Sequence, residues 1–541
     1  MPRILFALAV TATLLPHAAS AQSDGEIIAE INRQLQQGWK DNEVAPSPLA
    51  EDGEFARRAS LDIVGHIPSL ETLIPFLVDE SPRKRDALID ALLADPDYTR
   101  NWSTIWGNLL VGRGNRQNQG ARNALDRWLN AAFARNLPYD LLVHDLISAT
   151  GSSDELGAIG FMASHLNENA VPATAITARL FLGTQVQCTQ CHNHPFNDWK
   201  QSQFWGLNAF FQGTRRQNVN GRQTIYLSDD LTQDVVFFEK RSGTMEAVVR
   251  QFVDGTPPSE SIAGPRHQLA AIIIDPAKPY LSRAIVNRLW GHFLGQGFTR
   301  PIDDMGPHNP PSHPELLDYL AARFRENGHD LKKLIRWITA SNAYQLTSAA
   351  APENASDDPA AGGVPLFSRR YVKPFTAEQL YDSMLIATQA HTAGRNFDQS
   401  QAKRDEWLQQ FVLLFGTDEN DEADTFNGTV PQALTLMNGE LVRSAISGEP
   451  GGFLRSVFEA RVPALMNAKT AKRGGTKLPS PKTVAGRIEV LYLTALARRP
   501  GPAELQALNA AYTKAGGRDP VRGLQDVFWA LLNSNEFILN H

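Results

Sequence analysis

A mainly α-helical protein of two helical domains, with a small β insertion between them, is the fold class this sequence predicts. Three observations carry the prediction. Apolar residues recur at three- and four-residue steps along most of the chain, the period of a helix with one buried face. Runs rich in β-formers are confined to about residues 213–241. A stretch rich in Pro, Gly and Ser, VDGTPPSESIAGPRHQ (253–268), then divides the helical pattern in two. At 541 residues the chain also exceeds what one hydrophobic core usually serves, so two or more domains are expected.

Residues 1–21 read as a Sec-type signal peptide. Arg3 supplies the positive charge, an apolar stretch follows from Ile4 to about Leu15, and Ala19-Ser20-Ala21 gives a cleavage signal before Gln22. The apolar run falls short of the ~20 residues a membrane span needs. No cysteine follows the cleavage site, so a lipoprotein anchor is not indicated. The later apolar stretch AAIIID (270–275) is too short to cross a bilayer. The chain is expected to be exported, to the periplasm or the cell surface, with no transmembrane anchor after signal cleavage.

Residues 22–252 form the expected first domain. RKRDALIDALLADPDYTRNWSTIWGNLLV (83–111) places Leu88, Ile89, Leu92, Leu93, Trp102, Ile105, Trp106 and Leu109 at helical steps. NALDRWLNAAFARN and ATAITARLFLG repeat the pattern. TIYLSDD (224–230) and DVVFFEK (234–240) are the strands of the insertion. Residues 253–275 are the expected linker, and 276–541 the second domain. There PELLDYLAARFREN, DLKKLIRWITAS, TAEQLYDSMLIATQ and DPVRGLQDVFWALLNSNEFILNH are helical. Thr376 before Ala-Glu, and Pro314-Glu315 after Ser312-His313, are helix-start signals. SAAAPENASDDPAAGGVP (348–365) reads as a mobile low-complexity loop. LMNAKTAKRGGTKLPSPKT (465–483) reads as a basic, solvated loop.

Composition narrows the function classes. A net charge of −6 argues against a nucleic-acid partner. Two cysteines do not make a disulfide scaffold, so the cores must carry stability. The sequence has no GxSxG elbow, no HExxH, no phosphate-binding glycine loop and no sulfatase-like C/S-x-P-x-R.

Both cysteines lie in CTQCHNHPFN (188–197). C-x-x-C-H is the signature of c-type haem attachment, in which two thiols add to the porphyrin vinyl groups and the adjacent histidine ligates the iron. Cys188, Cys191 and His192 would fill those roles. Met162, His165, Met245, His267, Met305 and His308 are candidates for a sixth ligand, and a five-coordinate iron is equally open. Three other readings stand beside haem. Cys188 and Cys191 could close a local disulfide. Cys188, Cys191 and His194 could hold zinc or another divalent metal with a fourth ligand from elsewhere. The segment could also be a structural turn with no cofactor, its Pro195 ending one helix.

A second constellation lies in IDDMGPHNPPSHPELLDYL (302–320). Asp303, Asp304, His308 and His313 are oxygen and imidazole groups that could hold a divalent metal beside an acid–base pair. The structural alternative is a rigid Asn309–Ser312 turn with Ser312 or His313 capping a helix, and with Asp303 and Asp304 paired to Arg283, Arg288 or Arg300. Asn287, Arg288, Trp290 and His292 fall at helical steps and read as core packing.

TARLFLGTQVQCTQCHNHPFNDWKQSQFWGLNAFF (177–211) and EFARRASLDIVGHIPSLETLIPFL (54–77) resemble a domain of unknown function associated with planctomycete-type surface cytochromes. Residues 280–348, KPFTAEQLYDSMLIATQ (373–389), TVPQALTLMNGELV (429–442) and LLNSNEFILNH (531–541) resemble the domain of unknown function that usually follows it. The separate cytochrome domain often placed in front is not seen, since only residues 22–53 precede the first resembling block. The cysteines that the resemblance implies ahead of PQALTLMN are absent from FGTDENDEADTFNGT (415–429). The resemblance implies a redox partner or a co-exported sulfatase-like protein, and a link to polysaccharide. Three functions follow: a haem- or metal-centred redox protein, a non-enzymatic periplasmic or cell-surface scaffold, and a metal-dependent enzyme using Asp303, Asp304, His308 and His313.

Overall fold

The computed structural model describes residues 22–112, 119–194, 198–219, 224–389, 442–443, 446–449, 452–468, 478–515 and 519–541. The expected signal peptide and the PQALTLMN segment lie outside them. The fold is mainly helical with small sheets, as the periodicity predicts.

The first helix, α1 (Asp24–Asp41), starts at a capping box between Ser23 and Glu26 and buries Ile27, Ile31, Leu35 and Trp39 at four-residue steps. Its buried face lies against the C-terminal half: the Trp337 indole donates to Asp24 at 2.8 Å, and the Asn342 amide to Asn32 at 2.7 Å. Next, α2 (Asp52–Val64) is almost wholly buried, including two adjacent arginines. Arg57 donates to the carbonyls of Ala495 and Phe537, both at 2.7 Å. Arg58 pairs with Glu54 at 2.7 Å and donates to the Leu346 carbonyl at 2.8 Å. A planar five-donor group can satisfy several carbonyls at once, which is why Arg rather than Lys can stand here. Through these contacts the two halves of the chain share one continuous hydrophobic core.

Around α2 pack α3 (Leu70–Val78), α4 (Lys84–Ala94) and α5 (Pro96–Val111), followed by α6 (Gln119–Ala134) and α7 (Tyr139–Ser148). A short strand β1 (Gly151–Ser152) precedes α8 (Ile159–Ala163), α9 (Asn167–Thr177) and α10 (Gln201–Asn208). Four strands follow: β2 (Thr214–Val219), β3 (Thr224–Asp229), β4 (Val235–Glu239) and β5 (Met245–Val249). The sheet order is β1-β3-β2, with Arg216 opposite Leu227, and β4-β5 is a separate hairpin with Phe237 opposite Ala247. The insertion thus runs past the expected end near 241. MEAVV was missed as a strand because it is short and its residues are exposed or half-buried, so no alternation of apolar and polar residues marks it.

Two sequence expectations are corrected. The linker expected at 253–275 contains α11 (Pro265–Ile273), packed on α7. Arg266 on this helix is fully buried, donates to the carbonyls of Ile147 and Ala149, and pairs with Asp229 at 2.9 Å. The loop expected to be mobile at 348–365 is instead anchored. Asn354 and Asp357 are fully buried, and Asp357 accepts from the amides of Leu366 and Ser368 and from the Tyr371 hydroxyl. Polar residues there serve as hydrogen-bond hubs, not as a solvated tract.

In the second half, α12 (Tyr280–Leu294) runs through the core and packs against the turn that follows α9. The chain continues through α13 (Pro314–Glu326), α14 (Leu331–Thr339), α15 (Asn342–Gln345), β6 (Lys373–Pro374) and α16 (Ala377–Thr388). Further helices, among them Val484–Leu496, Pro502–Ala515 and Pro520–Leu532, precede β7 (Leu539–Asn540), which pairs with β6. Among the described residues, no helix is long and apolar enough to cross a membrane.

Candidate functional site

The chain leaves α9 through a π-turn at Ala178–Leu182 that ends on Gly183, whose φ of +66° suits glycine. A side chain at Gly183 would run into the Met305 methyl, and the Met305 amide donates to the Gly183 carbonyl at 2.8 Å. The segment leading into CTQCH therefore lies directly on the 302–313 loop. The two constellations singled out in the sequence are neighbours in space.

Cys188 sits on a 3₁₀ turn, Gln187–Gln190, anchored by the buried Thr189 hydroxyl donating to the Val186 carbonyl at 2.6 Å. Helix α10 holds the rest of the loop. Its Gln201 side chain and the Trp205 indole both donate to the Gln190 carbonyl at 3.1 Å, and the Gln201 amide donates to the Asn193 side chain at 2.9 Å. The His194 amide donates to the Trp199 carbonyl at 2.8 Å. These contacts fix the backbone on either side of Cys191 and His192. The side chains of Cys188, Cys191 and His192 all face solvent, and both thiols are free. The alternative of a local disulfide between Cys188 and Cys191 is not met. His192 Nδ1 lies 2.7 Å from the Asn193 carbonyl. A carbonyl only accepts, so in the neutral ring Nδ1 carries the proton and Nε2 keeps the lone pair.

His194 does not join the thiols. Its ring lies 6.0 Å from that of His308 on the facing loop. His308 Nε2 in turn lies 3.1 Å from Asp304, with both side chains about one-fifth exposed (19% and 22%). The turn is tight because Gly306 leaves room for the His308 ring and the Asn309 side chain donates to the Asp304 carbonyl at 2.9 Å.

The other two members of the expected metal set point elsewhere. Asp303 is ion-paired to Arg288. His313 packs between Phe367 and Phe298, with ring centroids at 5.3 and 6.2 Å, and its Nδ1 meets the Ser312 hydroxyl at 3.0 Å. Burial pushes the His313 imidazole down to about 4, so it is neutral at pH 7. Among the described residues, no three His, Cys, Asp or Glu side chains converge to hold a metal ion. The sets Asp303/Asp304/His308/His313 and Cys188/Cys191/His194 are thus both divided. Ion pairing and aromatic packing claim the groups that proximity in sequence had put together.

Of the sixth-ligand candidates, Met162 is fully buried in the core. His165 is tied to the Leu110 carbonyl at 2.7 Å, and burial lowers its basicity. Met245 lies exposed on β5, and the His267 ring lies 6.0 Å from that of His144. Met305 and His308 remain, on the loop facing the CTQCH segment.

A cleft of about 480 Å³ opens where the two segments meet. Asp198, Trp199 and Gln203 line it from the CTQCH side, Tyr280 and Arg283 from the start of α12, and Met305 from the facing loop. Arg283 is held by Asp318 at 3.1 Å. Sequence reasoning missed Tyr280 and named Arg283 only as a partner for Asp303 or Asp304, because nothing in the spacing of an amphipathic helix marks which end borders a cleft.

Residues 30–216 match the PSCyt2 family, described as a protein of unknown function (DUF1549), and residues 265–512 match the PSD1 family, described as a protein of unknown function (DUF1553). The second match begins on the first residue of α11, which places the boundary ahead of that helix. No curated protein and no solved structure matches the chain. The chain therefore joins a PSCyt2 domain to a PSD1 domain, in that order, two domains of unknown function that meet at this cleft.

Proposed function

We propose that this chain is an exported redox protein that carries a c-type haem on Cys188 and Cys191, with His192 as the proximal ligand. One observation carries the reading. Two free, solvent-facing thiols three positions apart are followed by an imidazole whose Nδ1 is tied to a carbonyl. That tautomer leaves Nε2 as the donor atom, and thioether formation needs accessible, reduced thiols. Bound there, the haem would supply one-electron chemistry. The protein's part is to hold the ligand: Gln201 and Trp205 fix the Gln190 carbonyl, and Asn193 orients the His192 ring. Exposure of Cys188, Cys191 and His192 suits exchange with a redox partner at the surface.

The test is a pyridine haemochrome spectrum on protein made in a host that matures c-type cytochromes. A c-type α band, lost in Cys188→Ala, is the expected result. Colourless protein from a host proven competent with another cytochrome overturns it.

A second reading rests on the cleft. Trp199 and Tyr280 set beside Asp198, Gln203 and Arg283 combine aromatic surface with planar polar groups, a combination that suits sugar rings. It favours a non-enzymatic surface scaffold that holds polysaccharide, with a co-exported sulfatase-like protein as a partner. Glycan binding that survives Cys188→Ala and disappears in Trp199→Ala would support it. Absence of glycan binding by the wild type would end it.

A further inference from the structure

A second cavity, of about 290 Å³, shares no residue with the cleft. Trp102 and Trp106 of α5 form its apolar wall. Arg288 and His292 of α12, Lys373 of β6 and Gln379 of α16 form its polar wall. No Asp or Glu lines it.

The charges behind this wall do not balance. Asp62, on α2, is fully buried and accepts from four groups: Lys373 at 2.7 Å, Asn540 at 2.8 Å, the Tyr344 hydroxyl at 2.9 Å and Arg370 at 3.5 Å. Arg370 and Lys373 thus share one carboxylate. Arg370 is sealed, with 0% side-chain exposure, whereas Lys373 keeps 19%. The surplus positive charge therefore reaches the cavity through the Lys373 ammonium, which also donates to the His292 carbonyl. Burial lowers Lys373 below the usual amine range, and Arg370 adds to this, while Asp62 opposes it. His292 cannot compensate. Its Nε2 donates to the Asp62 carbonyl at 3.0 Å, and burial together with Lys373 pushes it down to about 4, so it is neutral. The first turn of α16 also borders the cavity, with Gln379 fixed by donating to the Leu61 carbonyl at 3.0 Å. A helix start adds positive potential.

We propose that this cavity binds a small ring-bearing oxyanion, with Lys373 as the cation that meets the charge and the Trp102–Trp106 wall against the ring. The volume lies near the lower end of ligand pockets, roughly 300–1,000 Å³, so the ligand is small. An anion there would complete the count that Asp62 leaves short, through a charge-assisted contact with the Lys373 ammonium.

The experiment uses the full chain and three probes at constant ionic strength: benzoate, phenyl sulfate and phenyl phosphate, with binding read by tryptophan fluorescence and calorimetry. Saturable binding of at least one probe is expected, and the ranking identifies the oxyanion. Lys373→Met should weaken it roughly ten- to hundredfold, the loss of a charge-assisted contact. Ile105→Trp, which fills the cavity from its apolar wall, should abolish it. Lys240→Gln, an equal charge change on the surface hairpin, should leave it unchanged. Should Lys373→Met not fold, Ile105→Trp decides. No saturable binding of any probe, or binding that Ile105→Trp leaves intact, overturns the proposal.

Discussion

Replacing Asp62 by Asn keeps the shape of the side chain and removes its charge. In the native fold this carboxylate is fully buried, and Lys373 and Arg370 both pair with it. Asn would leave two buried cations without an anion. Breaking a buried pair from one side costs about 3–5 kcal/mol, against a total stability of roughly 5–15 kcal/mol. Removing Lys373 instead is milder, because Asp62 keeps Arg370, Tyr344 and Asn540. Lys373→Met forfeits mainly one charge-assisted hydrogen bond, about 1.5–3 kcal/mol. The ordering is therefore asymmetric: Asp62→Asn should cost more than Lys373→Met, and the double variant should cost less than the sum of the two. Urea unfolding followed by circular dichroism, with slopes compared among the variants, measures all three. An Asp62→Asn cost at or below that of Lys373→Met, or strict additivity, would refute the charge account on which the cavity proposal also depends.

The pH dependence follows from two histidines. Burial holds both His292 and His313 down to about 4, while unfolded histidine titrates near 6.5. Between those values the unfolded chain binds protons that the native chain does not. Stability should be flat above about pH 6.5 and fall as pH drops towards 4, by up to about 1.4 kcal/mol per unit for each group. Denaturation midpoints measured from pH 8 to 4.5 test this, and His313→Phe should make the slope shallower. At α2, a side chain on Gly53 would run into the Ala497 carbonyl, so Gly53→Ala should cost about 1–3 kcal/mol. Gly25→Ala on α1 meets nothing within 4 Å and should be neutral or slightly stabilising, both read by the same urea unfolding.

The helices were legible because each buries one face at a regular step, as α1 does with Ile27, Ile31, Leu35 and Trp39. Less legible was α11. The Pro, Gly and Ser around it dominate a composition window, while its own packing depends on Leu269, Ile272, Ile273 and a buried Arg266. Polar segments misled in the same way at 348–365, where Asp357 organises a turn rather than facing water. At the site, the two thiols and the imidazole of CTQCH form a local pattern that the sequence alone displays. Its apposition to His308 could not, since only the fold brings residue 194 to residue 308. Proximity in sequence was a poor guide within 303–313, where Asp303 and His313 leave Asp304 and His308 for other partners. The Asp62 cluster joins α2 to β6 and β7 and has no signature beyond charged residues set among apolar ones.

The central claim is that Cys188 and Cys191 carry haem, and absorption spectroscopy tests it most directly. Full-length protein should be produced in a host with c-type haem maturation and examined as the pyridine haemochrome. The account predicts a c-type α band at about one haem per chain. It also predicts loss of covalent haem in Cys188→Ala and a displaced spectrum in His192→Ala. Protein without that band, from a host shown to mature another c-type cytochrome, would contradict the account.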